Sequence, residues 1–175
     1  MMNEFYILAE LMEEPQNGYQ LRSAMQTSLG PNRKISFGVI YPLLDKLADL
    51  GFVELIADKD AHNKKIAMIT EKGKAYFFEL MEKPVPKGSY RADIFSIKLD
   101  AMQHLSTERQ FKLLEEFFEE QQMIIADTEK AMDHLAKKKS KDHYYALKKL
   151  DLRLRQAKEA IRWIEDFRED LKKGI

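Results

Sequence analysis

Few side chains in this sequence have the type and spacing that catalysis needs. The four histidines form no HExxH motif or other paired-ligand spacing, and cysteine is absent. The sequence also contains no GxSxG, Walker A or dinucleotide-binding motif. Acidic pairs such as Glu115–Glu116 and Glu119–Glu120 fall within a predicted helix, where they are typical of a solvated face. We therefore expect no enzyme, no catalytic residue, no cofactor and no metal.

A second group of residues has the chemistry of anion contact. Ser36 stands where a helix is predicted to begin, and a serine at that position leaves backbone amides that can bind a phosphate. Gly38 lets the backbone approach a partner closely, and Arg33 and Lys34 supply positive charge just before the cap. Overall charge adds no attraction, because residues 1–82 carry 12 acidic against 9 basic side chains. Any contact with nucleic acid must come from basic groups concentrated on one face.

Hydrophobic periodicity predicts three helices in the first half of the chain, at residues 3–14, 19–29 and 36–50. Pro15 ends the first helix, and Gly51 ends the third. Pro42 would lie in the second turn of the third helix, where it removes one backbone hydrogen bond. In that helix we expect four core positions. A fifth apolar residue, Ile40, fits the core better than a contact with DNA bases. The four are Val39, Leu43, Leu44 and Leu47.

Two β-rich runs and a fourth helix follow. The runs cover residues 52–56 and 66–69 and are separated by a polar turn, which suits a loose hairpin. Thr70 is the expected cap of a helix over residues 71–82. Three helices, a hairpin and a helix are the ingredients of a winged helix-turn-helix with one added helix.

The second half of the chain is predicted to be almost wholly helical. Lys83–Gly88 reads as a linker, because it holds two prolines and a glycine. A short helix over 93–105 precedes two long ones, which begin at Thr107, with Gln110 as capping-box partner, and near Asp142. Both long helices carry a seven-residue apolar repeat, which favours an antiparallel hairpin. The predicted fold is mostly α, with a winged domain at 1–83, a linker at 84–92 and a helical dimerisation domain at 93–175.

Two long helices bury little core between them, so their apolar rows need a partner. A second copy of the hairpin about a two-fold axis would provide one, and folding of the hairpin onto the first domain is the alternative. We expect a homodimer whose contacts come from the rows of the last helix: Leu147, Leu150, Leu154, Ala157, Ile161, Ile164 and Leu171.

Bulk composition narrows the remaining classes. The chain is 45% hydrophobic and 33% charged, which is typical of a globular protein. No apolar run approaches the ~18–20 residues of a membrane span, and the first residues lack the features of a secretory signal. We expect a cytoplasmic protein with no membrane partner.

The run Ile35 to Leu47, with its Ser, Gly, Ile-Tyr-Pro, Leu-Leu and Leu pattern, resembles the PadR family of bacterial transcriptional regulators. The similarity continues through Leu50 to Glu54, and it includes Asn17 to Leu21 upstream and the start of the fourth helix at Thr70. The resemblance implies Pro42 inside a recognition helix and a homodimer on double-stranded DNA with a palindromic operator. It further implies repression relieved by a small phenolic or hydrophobic effector. The long C-terminal half looks like the phenolic-acid type.

In a helix-turn-helix, the start of the third helix enters the major groove. Phe37 can touch a thymine methyl group, and Tyr41 can either donate to a phosphate or pack against its own domain. Lys64 and Lys65 at the hairpin are the expected wing contacts, although a basic loop is often just solvated surface. The full set of predicted DNA contacts is Tyr19, Gln20, Arg33, Lys34, Ser36, Phe37, Gly38, Tyr41, Lys46, Lys64 and Lys65.

Two matters stay open at the level of sequence. The resemblance places an effector site between the winged domain and the C-terminal helices, with Phe5, Tyr6 and Tyr90 as candidate wall residues. The acidic balance of the first 82 residues also leaves room for a winged-helix module that binds a protein and has lost DNA binding.

Overall fold

A computed structural model describes residues 2–30, 34–57, 65–86, 88, 90–138 and 143–174. The chain divides into two compact units, Met1–Met102 and Gln103–Ile175. In the first unit the described elements are α1 (Met2–Glu13), β1 (Gln16–Asn17), α2 (Gly18–Ser28), α3 (Phe37–Asp49), β2 (Val53–Ala57), β3 (Lys65–Ile69), α4 (Glu71–Glu82) and α5 (Arg91–Asp100). The second unit consists chiefly of α6 (Thr107–Lys137) and α7 (Tyr144–Lys173). A 3-10 turn at Met102–His104 lies where the units meet in sequence.

Helix α1 is the centre of the first unit. It contacts α2, α3, α4, α5 and β3, and Phe5 through Ala9 are all buried as a result. Hydrophobic periodicity predicts one apolar side of such a helix, but it does not show that neighbouring elements cover the other sides. Burial of five consecutive residues makes α1 a rigid platform on which the other helices are held.

The predicted helix-turn-helix is confirmed as α2 and α3, which pack against each other. Leu21 and Met25 of α2 are fully buried, and Ile40, Leu44 and Leu47 of α3 form the opposing stripe at helical spacing. Helix α3 continues through Pro42, as the predicted helix over 36–50 requires.

Val39 was expected in the core, and that prediction is wrong. Its side chain is 37% exposed, whereas the neighbouring Ile40 is completely buried. Adjacent helical residues point about 100° apart, so a helix that buries Ile40 and Leu44 turns Val39 toward solvent. Leu43 is half-buried at the edge of the stripe.

The wing is a three-stranded antiparallel sheet in the order β1-β3-β2. Strands β2 and β3 confirm the two predicted runs, with Val53 opposite Ile69 and Ala57 opposite Lys65. Strand β1 was not predicted, because it is two polar residues long, and only the approach of β3 gives Gln16 its partner, Ala67. The hairpin tip, residues 58–64, lies outside the described residues.

A close approach ties the wing to α4. The Thr70 hydroxyl oxygen accepts from the Gly73 amide at 3.0 Å, which confirms the predicted cap, and the hydroxyl donates to the Gly51 carbonyl at 2.7 Å. A Cβ on Gly73 would lie 2.0 Å from the Phe52 carbonyl oxygen. Glycine is therefore required at position 73 for the helix to pack this close.

The first unit extends past the predicted linker at 84–92. Helix α5 packs against α1, and Phe95, Ile97 and Lys98 are buried. The Ser28 hydroxyl also donates to the Asp100 carboxylate at 2.7 Å, which joins the end of α2 to the end of α5. These contacts place α5 in the first unit, whereas the proposed domain boundary grouped it with the C-terminal helices.

Helices α6 and α7 form the predicted hairpin. Arg168 pairs with Glu115 at 2.6 Å and Lys158 with Glu129 at 3.8 Å, a pattern that only an antiparallel arrangement allows. The cap of α6 is Ser106 rather than the predicted Thr107, and the Gln110 side-chain Nε2 donates to the Leu105 carbonyl at 3.2 Å.

Candidate nucleic-acid interface

Helix α2 begins with a capping box that the sequence reading missed. The Asn17 side chain accepts from the amides of Tyr19 at 3.0 Å and Gln20 at 3.1 Å, and the Asn17 amide donates to Gln20 Oε1 at 2.9 Å. The spacing Asn-x-x-Gln was the available signal. Gln20, predicted as a phosphate contact, thus has a structural role at the helix start, while Tyr19 projects beside it with 64% of its surface exposed.

Helix α3 begins at Ser36, the predicted cap position. Its backbone is extended there, yet within the described part of the chain its hydroxyl makes no capping hydrogen bond. The Val39 amide donates to the Ser36 carbonyl at 3.0 Å. Ser36 is exposed at this helix start, and the positive end of the helix dipole favours an anion at this point.

Three aromatic rings form a continuous row across the starts of α2 and α3. The centroid of Phe37 lies 6.3 Å from that of Tyr19 and 5.9 Å from that of Tyr41, and each pair is inclined by 25°. The Arg22 guanidinium lies 4.9 Å from the Phe37 centroid, and its Nε donates to the Ile35 carbonyl at 2.8 Å. Arg22 was not among the predicted site residues, because its role depends on the approach of Phe37 from another helix.

Gly18 makes this row possible. A Cβ at that position would lie 2.8 Å from Cε1 of Tyr41, so any larger residue would displace the ring. Sequence reasoning left Tyr41 between packing and phosphate contact. In the structure its ring packs over Gly18 while 52% of the residue stays exposed.

A groove joins this row to the base of the wing. It has a volume of about 280 Å³, and its lining includes Tyr19, Tyr41, Asp45 and Lys65. Lys65 is exposed at the first position of β3. Three of the predicted contacts, Tyr19, Tyr41 and Lys65, therefore lie around one concave surface.

The other predicted contacts differ in position. Lys34 and Gly38 are exposed near the start of α3, in line with the prediction, whereas Arg33 and Lys64 lie outside the described residues. Lys46 is in the last turn of α3 and its ammonium is 2.6 Å from the Glu4 carboxylate on α1. That hydrogen bond raises the pKa of Lys46 and lowers the pKa of Glu4.

The segment that contains these elements matches a known protein family. Residues 7–79 match the Transcriptional regulator PadR-like family. The chain therefore contains a PadR-like domain. The matched segment spans α1 to α4 almost completely, so it includes the aromatic row and the wing, and the resemblance inferred from the sequence is confirmed over these residues.

Solved structures with a similar chain include Bacillus subtilis PadR in complex with operator DNA, at 22% identity, with 96% of this chain and 98% of that chain covered and a TM-score of 0.44. A complex of Bacillus subtilis PadR with p-coumaric acid gives 22% identity, coverage of 98% and 99%, and a TM-score of 0.44. The Vibrio cholerae virulence activator AphA gives 22%, 99% and 99%, and 0.42. A search of curated proteins gave no significant match.

A separate apolar cavity lies within the first unit, beside the PadR-like domain. Its volume is about 260 Å³, and Met2, Phe5, Leu80, Ile94 and Lys98 are among its lining residues. Lys98 is 2% exposed, and its ammonium donates to the carbonyls of residues 81 and 83 at 2.8 and 2.6 Å. This buried cation in an apolar wall was not predicted from the sequence.

Phe5, Tyr6 and Tyr90 were the candidate wall residues of the effector site, and of these only Phe5 lines this cavity. Tyr6 is buried elsewhere on α1, where burial raises the pKa of its hydroxyl beyond the ordinary range. Tyr90 is 56% exposed and is not part of the lining. Neither tyrosine therefore lies in the wall of this cavity.

Two of the seven residues proposed for dimerisation lie on the inner side of the hairpin. Ala157 and Ile164 are buried by their own chain, which corrects the expectation that they are free for a partner. The two ion pairs between α6 and α7 fix how the helices align. In that alignment Ala157 lies opposite Thr128, and Ile164 lies opposite Gln121. The other five residues are half-buried: Leu147, Leu150, Leu154, Ile161 and Leu171.

Large exposed apolar residues of α7 lie on a different stripe. Tyr145, Leu152 and Trp163 are separated by 7 and 11 residues, and both intervals return to nearly the same helix face. We call this set the outer stripe.

Among the helices that the structure describes, none combines the length and the hydropathy of a membrane span.

Proposed function

We propose that this protein is a cytoplasmic, homodimeric DNA-binding transcriptional regulator, and that it represses a palindromic operator until a small aromatic effector binds. The observation that carries the proposal is the convergence of α2, α3 and the base of the wing on one exposed face within the PadR-like domain. In helix-turn-helix proteins this face meets the major groove.

Each part of the face has a role in this mode of binding. The first turn of α3 enters the major groove, where the positive end of the helix dipole and the Ser36 hydroxyl meet a phosphate. Tyr19 and Tyr41 hold the flanks, and Lys65 contacts the backbone from the wing. Lys46 contributes through its ion pair with Glu4, which holds the end of α3 against α1.

A salt titration tests the proposal. We expect a duplex carrying the region upstream of the protein's own gene to bind at low salt, and its affinity to fall steeply as salt rises, because phosphate contacts release counterions. Unchanged mobility of the duplex at micromolar protein and low salt would rule the proposal out.

A protein-binding module without DNA binding is the second candidate. The exposed carboxylate of Asp45 on α3 and the acidic balance of residues 1–82 favour it. Lys64→Ala/Lys65→Ala separates the two candidates. A DNA-binding protein loses operator affinity with this change, whereas an interaction module keeps its partner.

The apolar cavity is the proposed effector site. Its volume is close to the lower end of the ~300–1,000 Å³ range of small-molecule sites. The Lys98 ammonium in its wall suits an aromatic carboxylate such as p-coumaric acid, the ligand of the Bacillus subtilis structure. When p-coumaric acid is titrated into the protein–duplex complex at low salt, it should release the wild-type protein from DNA. It should release Lys98→Met less readily. Identical release curves would place the effector elsewhere.

A further inference from the structure

The outward side of the first turn of α3 is apolar. Phe37 is 40% and Val39 37% exposed, Gly38 lies between them, and Ile40 turns inward and is buried. None of the three outward residues carries a side-chain hydrogen-bond donor or acceptor. The part of α3 that leads into a groove can therefore distinguish bases only through apolar contact, apart from what the flanking Ser36 and Tyr41 hydroxyls add.

The position of Phe37 is fixed by its neighbours. The rings of Tyr19 and Tyr41 both stack with it, and the Arg22 guanidinium lies 4.9 Å from its centroid while its Nε donates to the Ile35 carbonyl. A ring held in this way loses little side-chain freedom on binding, so contact with a partner costs less entropy than it would for a mobile side chain. Nearly half of Phe37 stays exposed in spite of these contacts, which leaves one edge for a partner.

The major groove offers one apolar group to such a surface. Guanine, cytosine and adenine present donors and acceptors there, whereas thymine presents its 5-methyl group beside O4. We propose that Phe37 and Val39 recognise thymine methyl groups in the operator half-site, with Phe37 as the main specificity-determining residue. This inference rests on the proposed DNA-binding function.

The test uses duplexes selected from a random-sequence library by the wild-type protein. Each thymine of the enriched half-site is replaced in turn by deoxyuridine, which lacks only the methyl group. At one or two positions the wild-type protein should bind the deoxyuridine duplex about fourfold more weakly, the factor that corresponds to losing burial of one methyl group. Phe37→Ala should bind the thymine and deoxyuridine duplexes at those positions equally.

The ratio of the two affinities is measured within each variant, so any loss of folded protein cancels. Val39→Ser provides a second variant, for which the ratio should fall at a different position. Lys65→Ala is the control: it should weaken binding to both duplexes and leave the ratio as in wild type. Equal binding of every deoxyuridine duplex by wild type would overturn the inference while leaving DNA binding intact. Failure to enrich any duplex would overturn the proposed function, and this inference with it.

Discussion

Gly18 shows how one residue without a side chain controls the geometry of the interface. The Tyr41 ring occupies the space that a Cβ would take, and Tyr41 in turn stacks on Phe37. The position is therefore sensitive to volume, because a Cβ there would shift the Tyr41 ring and change its stacking on Phe37.

We predict that Gly18→Ala weakens DNA binding about tenfold, which is ~1.4 kcal/mol. Alanine is the better helix former by roughly 1 kcal/mol, so the fold itself should lose little stability. The same substitution made in a Tyr41→Ala protein should cause no further loss of affinity, because the obstructed ring is gone. Additive losses in this double-mutant cycle would show that Gly18 does not act through Tyr41.

Sequence reasoning identified most residues of this row but not their arrangement. Tyr19, Phe37 and Tyr41 were selected for their chemistry and their place beside a helix start. Arg22 and the capping role of Gln20 were not predicted, since a cation–π contact and a capping box depend on backbone positions that the residue types alone do not specify. The charge of Lys46 was visible in the sequence, but its partner lies 42 residues away.

At the scale of elements, the ion pair between Glu4 and Lys46 joins the central helix α1 to the recognition helix α3. Its hydrogen bond lowers the pKa of Glu4 below its usual value of 4.5. A lowered pKa in the folded state means that the pair stabilises the fold at pH values above 4.5, and that this contribution is lost as the pH falls through the folded-state value.

We therefore predict that Lys46→Met has a lower urea midpoint than wild type at pH 7, and that the difference shrinks as the pH falls below 4.5. The matched control is Lys74→Met, which removes an exposed pair with Glu71 within α4 and should change the midpoint little. A difference that stays constant between pH 7 and pH 3.5 would mean that the Glu4 carboxylate is not responsible.

Most elements could be predicted because each has its own periodicity and its own start or stop residue, as Thr70 illustrates for α4. The elements that could not be predicted depend on partners far away in sequence. Strand β1 exists because β3 pairs with Gln16, and Val39 is exposed because the buried stripe is centred on Ile40. The predicted capping box at Thr107 was wrong because Thr107 is the first residue of α6 and Ser106 takes the cap position.

At the scale of the whole molecule, the second unit has more apolar surface than a two-helix hairpin can cover. The inner rows pack within the chain, whereas Leu152 and Trp163 of the outer stripe remain exposed. Exposed apolar residues aligned along 18 residues of a helix mark an interaction surface. Heptad repeats predicted the hairpin correctly. They do not show whether a given apolar row packs within its own chain or against a second protomer.

We predict a sedimentation mass of twice the 20.5 kDa chain at micromolar concentration. Trp163→Asp should lower that mass, because a carboxylate on the outer stripe would be buried against the partner. Glu169→Gln is a control on another face of the same helix, where it removes an exposed ion pair with Lys172. A wild-type mass near 20.5 kDa would contradict the proposed homodimer.

The central claim is that the face formed by α2, α3 and the base of the wing binds DNA. Its most direct test compares Lys65→Ala with Lys74→Ala in a fluorescence titration of the selected duplex at several salt concentrations. Both changes remove one lysine side chain of the first unit, but only Lys65 lines the groove beside Tyr19 and Tyr41. We predict weaker binding and a salt slope reduced by about 1 for Lys65→Ala, with no change for Lys74→Ala. Equal affinities and slopes for the two variants would contradict the assignment of this face.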